Sequence, residues 1–103
     1  MKYCNEFALI NDTPEVREEY KRRHDELWPE MWELIAEVGL YNYTIWNVGA
    51  RLIDYYECDD LERAKAILRK SDVKKQWDAY MKDLIVCNPD GSFTPLEKVF
   101  EIN

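Results

Sequence analysis

The sequence predicts an α+β fold of the ferredoxin-like kind, β-α-β-β-α-β, in which an antiparallel sheet carries its helices on one face. Three observations carry that expectation. Stretches of strand-like alternation occur at Tyr3 to Ile10, Leu40 to Asn47, Leu52 to Cys58 and Leu96 to Ile102. Between them lie two blocks whose apolar residues recur at helical spacing, each opened by capping residues. The chain of 103 residues suffices for one hydrophobic core and not for two, so residues 1–103 are expected to form a single domain. With 47% hydrophobic and 34% charged residues, the composition is that of a soluble globular protein.

The first strand, Tyr3 to Ile10, is bounded by Asn11-Asp12-Thr13-Pro14, where a helix begins. Either Thr13 caps it with Pro14 at the first helical position, or Asp12 caps it with Glu15 three residues on. The apolar positions Val16, Tyr20, Leu27, Met31, Leu34, Ile35 and Val38 continue at helical spacing until Gly39 closes the block. Pro29 removes a backbone donor and crowds the preceding turn, so the helix kinks or breaks near Leu27-Trp28. Leu40 to Asn47 and Leu52 to Cys58 then form a strand pair joined by Val48-Gly49-Ala50-Arg51. Asp59 or Asp60 caps a short helix bearing Leu61, Ala64, Ile67 and Leu68, and Ser71 or Asp72 caps another bearing Val73, Trp77, Tyr80, Met81 and Leu84. Asn88-Pro89-Asp90-Gly91-Ser92 is dense turn chemistry, after which Leu96 to Ile102 returns as the last strand.

The formal net charge of -7 disfavours nucleic acid and anionic membranes, which would repel the chain at long range. A neutral small molecule or another protein suits it better. No apolar run approaches the roughly 20 residues of a membrane span, and no basic-then-apolar leader is present, so a cytoplasmic protein is expected. Cys4, Cys58 and Cys87 are odd in number and widely spaced, which reads as reduced, structural cysteine. Tyr3, Phe7, Tyr43, Trp46, Tyr55, Tyr56 and Phe100 all fall in strand patterns, more aromatic surface than strands normally show to water. The sheet face away from the helices is therefore expected to pack against a second copy, giving a symmetric homodimer.

His24 is the only histidine, and it follows Tyr20 by four residues, which brings the two side chains together on one helical face. An imidazole with an ordinary pKa of about 6.5 suits proton transfer near neutral pH, although a lone helix histidine is more often structural. Trp28, Trp32, Trp46 and Trp77 offer indole faces on which a sugar ring can stack, against the usual use of tryptophan as core. Asn42 and Tyr43 are neighbours on a strand and point to opposite faces, so only one of them can share a site with His24. Asp54 and Glu6 are carboxylates inside strand patterns, where each either lies on a solvent face or reaches a pocket. No phosphate loop, nucleophile elbow, Rossmann glycine pattern or metal-ligand cluster occurs, so no metal and no cofactor is expected.

The stretch Glu19-Tyr20-Lys21-Arg22-Arg23-His24-Asp25-Glu26-Leu27-Trp28-Pro29-Glu30 resembles the signature of the L-rhamnose mutarotase family, Y-x-R-R-H followed by W-P-E. Asn42-Tyr43 with Ile45, Ser71-Asp72-Val73 through Trp77 to Tyr80-Met81, and Asn88-Pro89-Asp90 with Val99-Phe100 resemble further family blocks in the same order. The resemblance implies a dimeric α/β barrel of ferredoxin-like subunits. It implies a reaction as well: the pyranose hemiacetal opens and recloses on the other face of C1, interconverting the α and β anomers of L-rhamnose or a related 6-deoxy hexose such as L-fucose. The residue matching the family's proton donor is His24, and those matching its sugar contacts are Tyr20, Tyr43 and Trp77. Some members carry a second tryptophan after the first. Here Asp78 holds that substrate-binding position and replaces a stacking surface with a carboxylate. The stretch from Trp46 to Tyr56, with Asp54 and Tyr55-Tyr56, is also more polar than in bacterial members, which bears on the choice of sugar.

Two other readings compete. A non-catalytic dimeric sugar-binding or regulatory module of the same fold would bind sugar without accelerating anomer exchange. A dimeric-barrel monooxygenase would use the fold on an aromatic substrate or haem.

Overall fold

A computed structural model describes residues 1–103. Strand β1 runs Lys2–Leu9 and ends at the polar turn that opens helix α1, Pro14–Asp25. Of the two candidate caps, Thr13 takes the position: its hydroxyl accepts from the Val16 N–H at 3.3 Å, and Asp12 pairs instead with Arg17. The expected interruption is a full break, since α1 ends at Asp25 and α2 spans Pro29–Val38 with Pro29 in its first turn. Gly39, at φ 80°, ends α2 in the left-handed conformation that glycine adopts without a Cβ clash. Strands β2, Tyr41–Val48, and β3, Arg51–Glu57, follow as an antiparallel pair. Asp60 then caps α3, Leu61–Lys70, and Ser71 caps α4, Asp72–Met81, each accepting a backbone N–H three residues on.

The sheet order β2-β3-β1 continues at the free edge of β1 with two short strands, β4 at Ile85–Val86 and β5 at Thr94–Pro95, all antiparallel. This departs from the expected last strand at Leu96 to Ile102. Beyond the Leu96 N–H bond to the Cys4 carbonyl, and an ion pair from Lys2 to Glu101, the tail leaves the sheet without regular structure. The reason is pairing. Val99 and Phe100 are 89% and 75% exposed, so within one chain the tail covers no apolar surface, and it forms no ladder with the start of β1. Leu84, expected on the last helix, lies just beyond it and is buried in the turn toward β4.

The core sits between the sheet and the helices, with Phe7, Leu9 and Leu52 from the sheet meeting Met31, Leu34, Val38, Ala64 and Met81 from α2, α3 and α4. Helix α2 packs on both α3 and α4. All four helices lie on one side of the sheet, and no helix is long and apolar enough to cross a membrane.

Candidate functional site

Sheet and helices do not close on each other completely. Between them is a cavity of about 1330 Å³. Alternation along three strands makes its floor, with Asn5 and Phe7 from β1, Tyr43 and Ile45 from β2, and Leu52, Asp54 and Tyr56 from β3. Strand register brings Asn5, Asp54 and Ile45 into one row across that floor. The helical wall supplies Tyr20 and His24 from α1, Trp32 from α2, and Trp77 and Asp78 from α4.

The spacing of Tyr20 and His24 has the expected result. Their rings stack with centroids 4.3 Å apart, and the Trp77 indole meets the imidazole edge-on at 5.3 Å. His24 Nδ1 lies 3.1 Å from the Tyr20 carbonyl. A carbonyl only accepts, so Nδ1 carries a hydrogen and donates it, leaving Nε2 as the nitrogen that gains and loses a proton. Burial pulls the imidazole below its ordinary pKa of 6.5, partly opposed by the Tyr20 carbonyl and by Asp25. Its neutral form is therefore favoured at neutral pH. The Tyr20 and Tyr43 phenols are shifted the other way, upward, by burial first and then by the charge of Asp54. Both remain protonated and act as hydrogen-bonding groups.

The Pro29 break sets the wall behind this cluster. Trp28 meets Trp77 edge-on at 5.1 Å and tilts against Tyr80 at 5.4 Å, so it supports the Trp77 indole from behind and is not itself part of the cavity lining. Arg23, the residue before His24, is turned away from the cavity to bond Glu19, Asp83 and the Tyr80 carbonyl, and its guanidinium lies 4.5 Å from the Tyr80 ring centre. It ties the end of α1 to the end of α4 and so holds His24 opposite Trp77.

The choice between Asn42 and Tyr43 is made by an irregularity in β2. The register shifts between Tyr41 and Thr44, and Asn42 sits at φ 51° with its amide donating to Glu57 at 2.6 Å. Tyr43 is the one that faces the cavity, where it stacks on Tyr56 at 5.5 Å, and Tyr56 stacks in turn on Tyr3 at 5.5 Å. Tyr43 keeps 39% of its surface exposed, and burial is the first cause of the upward shift of its phenol.

Other candidates fall elsewhere. Trp46 is 67% exposed on the far face of the sheet, and its indole N–H bonds Thr44, so it shares no surface with His24. Glu6 pairs with Arg51 on that same far face and does not reach the cavity. Asp78 stands at the cavity wall as an exposed carboxylate paired with Lys74. Of the aromatic residues expected on the open face, Tyr3, Phe7, Tyr43 and Tyr56 turn inward to the cavity, which leaves Trp46 and Tyr55 on the strands of the outer side. Asp54 is the carboxylate that does reach the floor. Asn5 and Tyr56 join it there; Tyr56 belongs to the polar Trp46 to Tyr56 stretch that the sequence ties to the choice of sugar, whereas the only signal for Asn5 is a parity shared with Phe7.

A family model for L-rhamnose mutarotase matches residues 2–102. An L-rhamnose mutarotase from Tolumonas auensis is 41% identical over 91 residues, covering 86% of each chain. One from Shigella flexneri is 37% identical over 96 residues, 89% of this chain and 91% of the other. Among solved structures, an L-rhamnose mutarotase from Formosa agariphila superposes with a TM-score of 0.82 at 28% identity, over 100% of this chain and 99% of that one. A dimeric ferredoxin-like protein from an uncultured marine organism, at 17% identity and a TM-score of 0.65, shares the fold. Taken with the Y-x-R-R-H and W-P-E stretches around His24, these matches show that the chain belongs to the L-rhamnose mutarotase family of anomer-interconverting isomerases.

Proposed function

We propose that this protein interconverts the α and β anomers of L-rhamnose, with His24 moving the proton that ring opening requires. The observation that carries the reading is the cluster of Tyr20, His24 and Trp77 at the wall of the cavity, with one free imidazole nitrogen beside stacking and hydroxyl-bearing side chains. As the C1–O5 bond breaks, His24 Nε2–H gives its proton to O5 while the anomeric hydroxyl passes its own proton to solvent and C1 becomes a carbonyl. Rotation about C1–C2 presents the other face, O5 attacks again, the former carbonyl oxygen takes a proton from solvent, and the O5 proton returns to Nε2. Tyr20 and Tyr43 hold sugar hydroxyls, Trp77 covers an apolar edge of the ring, and Asp78 bonds a hydroxyl from the wall.

Because burial lowers the pKa of His24, its imidazolium is a stronger acid than ordinary histidine and a minority species at neutral pH. Exchange above the buffer rate is expected to rise as pH falls toward that lowered value and to level off below it. The opposite slope assigns Nε2 the base role instead. NMR saturation exchange between anomers tests the whole reading: His24→Ala is expected to lose about 10²–10⁴-fold of the acceleration. Acceleration equal to the parent's removes His24 from the chemistry. A side-by-side series with L-rhamnose, L-fucose and D-galactose ranks the sugars.

The same reading makes residues 1–103 one catalytic unit, working in the cytosol, with two copies joined through the open sheet face. Exposed Trp46, Val48 and Val86 support that contact, as does the dimeric state of the fold relative from the marine organism. A solution mass of one chain at micromolar concentration overturns it.

A further inference from the structure

Asp54 is 2% exposed, the one charged or polar residue buried to that degree, and the activity outlined above leaves it without a task. Its Oδ1 is fully occupied by Asn5, accepting the backbone N–H and the side-chain amide at 3.0 Å each. Its Oδ2 has no partner in the protein. No side-chain oxygen sealed from solvent is left unpaired, so this one opens onto the cavity that Asp54 lines. No lysine or arginine pairs with the carboxylate; its neighbours on the floor are Asn5, Ile45, Leu52 and Tyr56, and the Tyr20 and Tyr43 phenols lie close enough to feel its charge. The other carboxylates of the cavity stand on the helices and are exposed, two of them in ion pairs: Asp25 with Lys21 and Asp78 with Lys74.

A buried carboxylate without a cation is costly unless donors surround it, and burial indeed raises the pKa of Asp54 against the two Asn5 bonds. Clamping Asn5 requires one acceptor oxygen, which a neutral asparagine would supply at lower cost. The second oxygen is explained by a donor that arrives with the ligand. A neutral sugar hydroxyl is such a donor, and the charge of the acceptor makes the bond stronger than one between neutral groups.

We propose that Asp54 is a specificity-determining residue: its free Oδ2 accepts a hydrogen bond from one ring hydroxyl of the bound monosaccharide, and the site rejects the analogue that lacks that hydroxyl. The proposal rests on the reading of this cavity as a sugar site. A deoxy sugar would leave the carboxylate buried and unpaired, which is how polar sites discriminate far more sharply than apolar ones.

The test measures anomer exchange of L-rhamnose and of its 2-, 3- and 4-deoxy derivatives by the parent protein and by Asp54→Ala. The parent is expected to lose about 10- to 100-fold in kcat/KM on one of the deoxy sugars. Asp54→Ala is expected to be slower on L-rhamnose and to show no further loss on that same deoxy sugar, a coupling that mere loosening of the floor does not produce. Identical sugar ratios in parent and variant across the series overturn the proposal. Should circular dichroism show Asp54→Ala unfolded, Asp54→Asn provides the ratio: it retains the oxygen facing Asn5 and offers the sugar hydroxyl only a neutral amide, so the loss on that deoxy sugar is expected to shrink. If the parent accelerates no exchange, the mutarotase reading fails, and calorimetric dissociation constants for the same sugars then decide on Asp54 alone.

Discussion

The two faces of the sheet are built from the same three long strands, and they have opposite fates. On the helix side, Phe7, Leu9 and Leu52 are buried at the base of the cavity, beside Asn5, Asp54, Tyr43 and Tyr56. On the other side, Trp46 and Val48 are exposed, and Arg51 pairs with Glu6 across the surface. Polar residues on the inner face are held by specific partners, as Asp54 is by Asn5. Those on the outer face form solvent ion pairs of the kind worth little to stability. Aromatic residues divide in the same way: inside, Tyr3, Tyr56 and Tyr43 stack in a ladder, and outside, Trp46 and Tyr55 make no aromatic stack. The lesson is that strand alternation separates a chemical face from an adhesive one within a single sheet.

Substitutions at matched sites on the two sides sharpen the contrast. The largest effect is expected at Trp77, which is buried between His24 and Trp28. Trp77→Ala is expected to cost about 3–5 kcal/mol in denaturant unfolding and to abolish anomer exchange with it. Next comes Trp46→Glu on the outer face, which is expected to change the solution mass from two chains to one, by light scattering, while shifting the stability of the separate chain by no more than about 0.5 kcal/mol. A loss of stability at Trp46 equal to that at Trp77 would erase the distinction between the faces.

The smallest expected effect is a pH-dependent one at Asp54. Its pKa in the folded protein lies above the ordinary 3.8, so the folded state holds the proton more tightly and stability from this group is lost as pH rises through the folded value. Asp54→Asn removes that loss. Relative to the parent it is expected to become more stable as pH rises from about 3.8 and to hold a constant advantage at neutral pH, measured by thermal unfolding across the pH range. This is a site residue whose charge costs stability, in contrast to the exposed Glu6–Arg51 pair, whose removal is expected to change little.

Much of this was readable in the residues. Thr13-Pro14, Pro29, Gly39, Asp60 and Ser71 are local signals, and each starts or stops an element where local chemistry requires it. The four-residue step from Tyr20 to His24 dictated their stacking in the same way, because helical geometry depends on neighbours in sequence alone. The tail from Leu96 to Ile102 was misleading for the converse reason: its alternation is strand-like, but a strand also requires a ladder of cross-strand bonds, and beyond β5 the tail makes only the Leu96 bond to Cys4 on the edge of β1.

Alternation likewise separated Asn42 from Tyr43 without saying which of them faces inward. The irregularity at Asn42 and the stacking of Tyr43 on Tyr56 decided that, through contacts between strands distant in the chain. The sequence by itself determined the helices, the three long strands, their order and the pairing of His24 with Tyr20, since these follow from local geometry and spacing. Only the tertiary structure decided that Asp54 reaches the cavity while Glu6 does not, and that Trp77 meets the imidazole while Trp46 cannot. Those outcomes depend on strand register and on which sheet face the helices cover, neither of which is a property of any short stretch of chain.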